Sequence, residues 1–319
     1  MIKILILFVL VILVISLYLK WKNDDMTGRT SIVSLESLNH IIVKHSRNIS
    51  IHCSGNNDKM LDNVKTYDSM TKRDYKECFI RDDKKQDLIK QIHTYFEKFP
   101  QTIPKIIHQI WIGPKPPPYK WINSFKKDLI REYPDWEYYL WTEKEIASLE
   151  FAVCNKKIYD DEKSFNGKSD ILRYQLLYQF GGIYIDADSK WFEKDLGILI
   201  NNTNKSGIFI GRESQSCNKC LASGVVGSSK NNPIILYLLT VMNKLYPLCN
   251  RFNIPPYKSI GPFFCDQVFN KFNITVFPSY YFYPVWWVNN NKAIIMNQTK
   301  EKYPDSFMCQ FGYTTNNLE

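Results

Sequence analysis

The chain has 319 residues, 45% of them hydrophobic and 23% charged, a composition that allows a sizeable core and excludes wholesale disorder. With 13 Gly and 15 Pro it is neither fibrous nor dominated by linkers. The net charge of +9 is mild and its basic residues gather on no one motif, so no nucleic-acid partner is expected.

From Ile4 to Leu19 the run ILILFVLVILVISLYL has Ser16 as its one clearly polar residue, with Lys3 before it and Lys20 and Lys22 after it. This is just short of the roughly 18–20 residues needed to cross a bilayer core, and snorkelling lysines extend it. No small-residue cleavage site follows, and Trp21 suits a membrane interface. Residues 1–20 therefore read as an uncleaved signal anchor, an N-terminal transmembrane helix that leaves the body luminal (ER/Golgi-like) or external. Sequons at Asn48, Asn201, Asn204, Asn273 and Asn297 agree weakly with that placement. Cys217 and Cys220 have zinc-like spacing but no second half-site, so a local disulfide or plain thiols are expected.

Residues 21–100 are polar and charge-mixed and read as a stem with short helices. Leu88, Ile92, Tyr95, Phe96 and Phe99 recur at helical spacing, predicting an amphipathic helix over 87–99. From Pro104 the texture changes. Lys105–Ile112 is a β-branched run ending in Gly113-Pro114-Lys115-Pro116-Pro117-Pro118, a buried strand entering a loop. Tyr119–Tyr133 reads as a helix stopped by Pro134 and Trp136–Trp141 as a strand; Thr142 and Glu145 form a capping box. The alternation continues to about Phe277 and predicts an α/β domain over 101–319 with a mostly parallel central sheet.

The informative segment is Lys168–Trp191. Ser169 is expected to cap a helix whose apolar face holds Ile171, Leu172, Leu176, Leu177 and Phe180, with Gly181-Gly182 ending it. Ile183–Ile185 is a short buried strand, and Asp186-Ala187-Asp188 falls at its carboxyl end, where open α/β sheets bind ligands. Two carboxylates two residues apart can turn to one hard cation, Mg²⁺ or Mn²⁺, which acts as a Lewis acid and template beside a diphosphate. Asp170 and Arg173 share a face in the first turn of the helix. They are either a surface ion pair or an acceptor and forked donor for vicinal sugar hydroxyls. Trp111, at its strand end, is a candidate to stack a nucleobase, or else belongs to the core.

Ile103–Gly113, Ser169–Tyr174 and Gly181–Asp188, in that order, resemble the DXD-containing glycosyltransferases of the Och1-like family (glycosyltransferase family 32) and the catalytic part of glucosylating clostridial toxins. Lys258–Pro262 is similar to a further family segment. The resemblance implies a GT-A-type nucleotide-sugar-binding fold and transfer of a hexose, with retention, from GDP-mannose or a UDP-hexose to a glycan, glycoprotein or glycolipid acceptor. On that reading Trp111 and Asp186 bind the nucleotide, Asp170, Arg173 and Tyr184 the donor sugar, and Asp186 and Asp188 serve catalysis and hold Mn²⁺ or Mg²⁺. His108 is read as structural, for want of a proton to move. The chain departs from the family near Ser223, where Asn is usual, and at its end, which lacks the family's His and Trp; Gln310 or Asn316 is left to supply an oxygen. These departures support an alternative, a catalytically inactive relative that binds a sugar nucleotide or glycan.

Overall fold

The computed structural model describes residues 34–46, 50–54, 60–61, 77–81, 85–153, 156–217, 220–251, 254–285 and 292–313. The expected anchor, 1–20, lies outside them, as does Asn316. Among the described residues no helix is long and apolar enough to cross a membrane.

A six-stranded sheet organises the chain. Its strands are β4 (Ile106–Ile110), β5 (Glu137–Trp141), β6 (Gly182–Ile185), β8 (Ile208–Arg212), β9 (Leu221–Ser228) and β10 (Thr275–Phe277), in the order β10-β8-β9-β6-β4-β5. β9 is antiparallel to both its neighbours, and the remaining pairs are parallel, so five strands share one direction and the mostly parallel sheet is observed. Two small sheets accompany it: β1 (Ser50–Ser54), β2 (Met60–Leu61) and β3 (Glu77–Arg81) in one, and β7 (Ser189–Trp191) with β11 (Met308–Gln310) in the other.

Side chains alternate across the main sheet as its period of two requires. Tyr184, Ile208, Ile210 and Val226 enter one buried cluster, whereas Ile183, Ile185, Phe209 and Val225 enter another on the opposite face. The first face is covered by helices α1 (Leu35–Ser46), α2 (Lys85–Lys98), α3 (Phe165–Phe180) and α4 (Pro233–Arg251). Leu38 and Ile42 of α1 and Leu88 and Ile92 of α2 are wholly buried there, against the same cluster as α4. This part of the expected stem thus packs onto the core. Phe99, expected on the apolar stripe of α2, lies just beyond the helix end and is 41% exposed.

The helical stretch before β5 runs through Tyr119–Asn123, a π turn at Ser124–Leu129 and Ile130–Glu132; its Phe125 and Leu129 cover the second face. The Thr142–Glu145 capping box is present. α3 departs from expectation. It begins at Phe165, and its cap is Ser164, whose Oγ accepts from Gly167 N at 3.0 Å. Glu162 holds the Ser164 amide and hydroxyl, both at 2.7 Å. Gly167 packs so tightly on Glu162 that a Cβ would lie 2.6 Å from its carboxyl carbon. Ser169 is therefore inside the helix and Asp170 is in its second turn. Every residue from Asp170 to Leu177 is buried, so α3 lacks the single apolar stripe of a surface helix. Gly181 and Gly182 end it at φ 72° and 96°; a Cβ on Gly182 would stand 2.5 Å from Ile106 O. Cys217 and Cys220 form a disulfide.

Candidate active site

β6 delivers Asp186-Ala187-Asp188 to the carboxyl end of the sheet, between β4 and β9. There a cleft of about 550 Å³ is lined by Trp111, Asp170, Arg173, Tyr184, Asp186 and Asp188 among others. All the sequence-predicted site residues therefore border one cavity.

Asp170 and Arg173 form a buried ion pair at 2.9 Å, not a surface one. The guanidinium also faces Asp186 Oδ1 at 3.5 Å, donates to the Ser223 carbonyl, and lies 4.4 Å from the centre of the Tyr184 ring. Tyr184 Oη donates to the same Asp186 Oδ1 at 2.7 Å. Two of the predicted residues, Arg173 and Tyr184, thus converge on one oxygen of Asp186. Burial pushes the Asp170 carboxyl up to about 7 against the pull of Arg173. Gly261, in the segment Lys258–Pro262, comes up against it: a Cβ there would lie 2.9 Å from Asp170 Oδ2.

Asp188 is held from the carboxyl-terminal side. β11 pairs antiparallel with β7, setting Gln310 opposite Ser189. The chain then wraps Asp188, with Tyr313 N donating to its Oδ2 at 2.7 Å and Phe311 N to its carbonyl at 3.0 Å. Gln310 Nε2 donates to Asp186 Oδ2 at 2.5 Å and reaches Asp188 Oδ1 at 3.5 Å. Burial and the neighbouring Asp186 push the Asp188 carboxyl up to about 7.

These residues fit a hard divalent cation. Asp186 and Asp188 supply carboxylate oxygens with the Gln310 amide beside them, and the rise in Asp188, caused first by burial and second by Asp186, is one that a cation would oppose. Among the described residues no cluster of three or more His, Cys, Asp and Glu side chains is present to hold a metal, so water and substrate oxygens would complete the shell.

Trp111 continues β4 towards the Pro-rich loop. Its indole Nε1 donates to Lys115 O at 2.8 Å and its ring lies 6.0 Å from that of Tyr313. This fixes the indole edge while the ring still lines the cleft. His108 does not reach the cleft. Its Nδ1 accepts from Trp141 Nε1 at 3.1 Å, so its Nε2 carries the hydrogen that goes to Gly181 O at 2.9 Å. Its structural reading holds.

Sequence reasoning missed Tyr283 and the Ser223 carbonyl, and named Gln310 only as one of two alternatives. The one signal pointing to them was glycine. Gly224 lies where a Cβ would meet Asp186 Oδ2 at 2.8 Å and both Gln310 Oε1 and Tyr283 Oη at 3.1 Å.

Residues 118–205 match the family described as "Glycosyltransferase sugar-binding region containing DXD motif". Among curated proteins, inositol phosphoceramide mannosyltransferase 3 of Schizosaccharomyces pombe is 29% identical over 185 residues, 56% of this chain and 48% of that protein. The mannosyl phosphorylinositol ceramide synthase CSH1 of Saccharomyces cerevisiae is 30% identical over 186 residues, 56% of this chain and 46% of that protein. The chain thus spans about half the length of these relatives. Of solved structures, the PaToxG glycosyltransferase is 23% identical, with a TM-score of 0.39 over 57% of this chain and 74% of that one. Over the segment that carries Asp170, Arg173 and the Asp186–Asp188 pair, the chain is similar to the DXD-containing glycosyltransferases, as its three motifs indicate.

Proposed function

We propose that the chain is a GT-A-type, divalent-cation-dependent glycosyltransferase that moves a mannosyl group from a nucleotide sugar, GDP-mannose, to a lipid-linked or glycan acceptor. The observation that carries this reading is the meeting of Asp186 and Asp188 with the buried Asp170–Arg173 pair and Trp111 around one cleft at the carboxyl end of β6. The choice of mannose and of a lipid-linked acceptor draws on the names of the relatives. Residues 1–20 anchor the enzyme with its body luminal or external, and residues 101–319 carry the catalytic cleft, with α1 and α2 of the preceding segment packed against their core.

Asp186 and Asp188, with Gln310 beside them, would hold Mn²⁺ or Mg²⁺, which when bound would offset the charge that develops on the departing diphosphate. Trp111 offers its face to the base, and Asp170 presents its carboxylate to donor-sugar hydroxyls. Arg173 pairs with Asp170, faces Asp186 at 3.5 Å and donates to the Ser223 carbonyl, so it holds the two acids beside one another. Tyr184 donates to the same Asp186 oxygen that Arg173 faces. On a retaining course the acceptor oxygen bonds to the anomeric carbon from the face the diphosphate leaves. The sugar–phosphate bond breaks and the departing phosphate oxygen takes the acceptor's proton. No side-chain nucleophile is required.

The test is donor hydrolysis by the full chain with MnCl₂ across GDP-mannose, UDP-galactose, UDP-glucose and UDP-N-acetylglucosamine. Turnover of GDP-mannose is expected, abolished by chelation and lowered more than about a hundredfold in Asp188→Ala. Turnover of a UDP-hexose instead would correct the donor. Silence across the panel from folded protein would favour the inactive relative.

A further inference from the structure

Among the described residues that line the cleft, the acids are Asp170, Asp186 and Asp188 and the bases are Arg173 and Lys115. Arg173 is buried, pairs with Asp170 and faces Asp186, so its charge is committed to the acids. A sugar nucleotide would bring a doubly charged diphosphate into this acidic cleft. Lys115, exposed at the rim, is the other positive charge there to meet it.

The neighbours of Lys115 give its place. It lies between Pro114 and Pro116 in the loop that follows β4. Proline fixes its own φ and keeps the preceding residue extended, so the backbone is stiff where the lysine leaves it. Trp111 Nε1 donates to the Lys115 carbonyl at 2.8 Å, which ties the lysine to the indole. At the far end of the side chain, Nζ stands 6.0 Å from the centre of the Tyr313 ring, at the outer limit of a cation–π contact. The Trp111 ring is also 6.0 Å from that of Tyr313, and Tyr313 N donates to Asp188 Oδ2 at 2.7 Å. The ammonium is therefore beside the residue that bridges the indole and the acid pair. A nucleotide with its base on Trp111 and its sugar at Asp170 must pass its diphosphate along that interval.

We infer that Lys115 binds the diphosphate of the sugar nucleotide, as a positive charge brought by the Pro-rich loop from the Trp111 side. The inference rests on the donor reading of the proposed function and names the side chain this cleft uses for that part of the donor. A lysine suits the task, because a compact charge on a flexible stem can follow phosphate oxygens without a fixed fork geometry.

The test is calorimetric binding of GDP and of UDP to the full chain in MnCl₂, at low and at high NaCl. Lys115→Met keeps an unbranched stem and removes the charge. Because Lys115 is exposed, this change is expected to leave the thermal midpoint unchanged. It should weaken binding of the preferred nucleotide about tenfold at low salt, as loss of a hydrogen bond to a charged group does. Lys115→Arg should restore most of that affinity. The gap between wild type and Lys115→Met should narrow as NaCl rises, since an exposed charge is screened. Wild-type affinity in Lys115→Met would overturn the inference. A loss that NaCl leaves untouched, or that Lys115→Arg shares in full, would overturn it too, because the lysine would then act by shaping the loop around Trp111. Those results leave the donor reading standing, since wild type still binds a nucleoside diphosphate. Failure of folded wild type to bind either nucleotide would remove that reading, and the inference with it.

Discussion

His108 shows how much a single residue's role depends on its surroundings. In the sequence it stands in the strand that leads to the cleft. In the structure its two nitrogens tie β5 to the end of α3, through Trp141 and Gly181. Burial lowers its pKa to about 4, opposed by the Gly181 carbonyl. A lowered base binds its proton later in the folded chain than in the unfolded one, whose histidines titrate near 6.5. Stability from this group is therefore complete above about pH 6.5 and is lost as pH falls towards 4, by up to about 3 kcal/mol. Urea unfolding across pH 4–7 should show that decline. His108→Gln should flatten it while lowering stability at pH 7 by about 1–2 kcal/mol, through the altered link to Gly181. Asp186 and Asp188 were legible because their spacing and place at a strand end carry chemical meaning. The multiple ties of Arg173 were not, because Ser223 is fifty residues away and brought close only by the pairing of β6 with β9.

Among the elements, strands and their order of appearance could be read from β-branched runs and punctuation, and Gly181-Gly182 marked the end of α3 correctly. The start of α3 could not. Ser164 and Ser169 are equally good caps by type; the carboxylate of Glu162 and the close approach of Gly167 decide for Ser164. β9 shows a similar dependence at Gly227, where a Cβ would lie 2.1 Å from the buried Phe209 ring on β8. Gly227→Ala is expected to destabilise the chain by about 2–3 kcal/mol, since neither strand can yield without disturbing the central pairing. A lower denaturation midpoint with an unchanged urea slope would show it. Leu176→Ala, deep in α3, should cost about 2–5 kcal/mol by leaving a cavity beside β6.

At the scale of the whole molecule, α1 and α2 join the core that supports the site. Leu38, Ile42, Leu88 and Ile92 lose essentially all their exposure against α4 and its neighbours. A chain starting at residue 101 would bare that surface, forgoing about 1.5–3 kcal/mol for each such side chain. It is expected to unfold at a lower temperature than the full chain and to bind a hydrophobic dye. Equal melting of the two would place α1 and α2 outside the folding unit.

The order of the motifs, the acid pair with its preference for a hard cation, and the alternation of strand and helix follow from local chemistry, and the sequence alone determined them. Only the tertiary structure decided that α1 and α2 belong to the core, that Asp170 and Arg173 are buried, and that Gln310 meets Asp186. Spacing along a strand or helix is set by backbone geometry within a few residues. Contacts between β7 and β11, or across β6 and β9, depend on sheet register between distant segments, which no local pattern encodes.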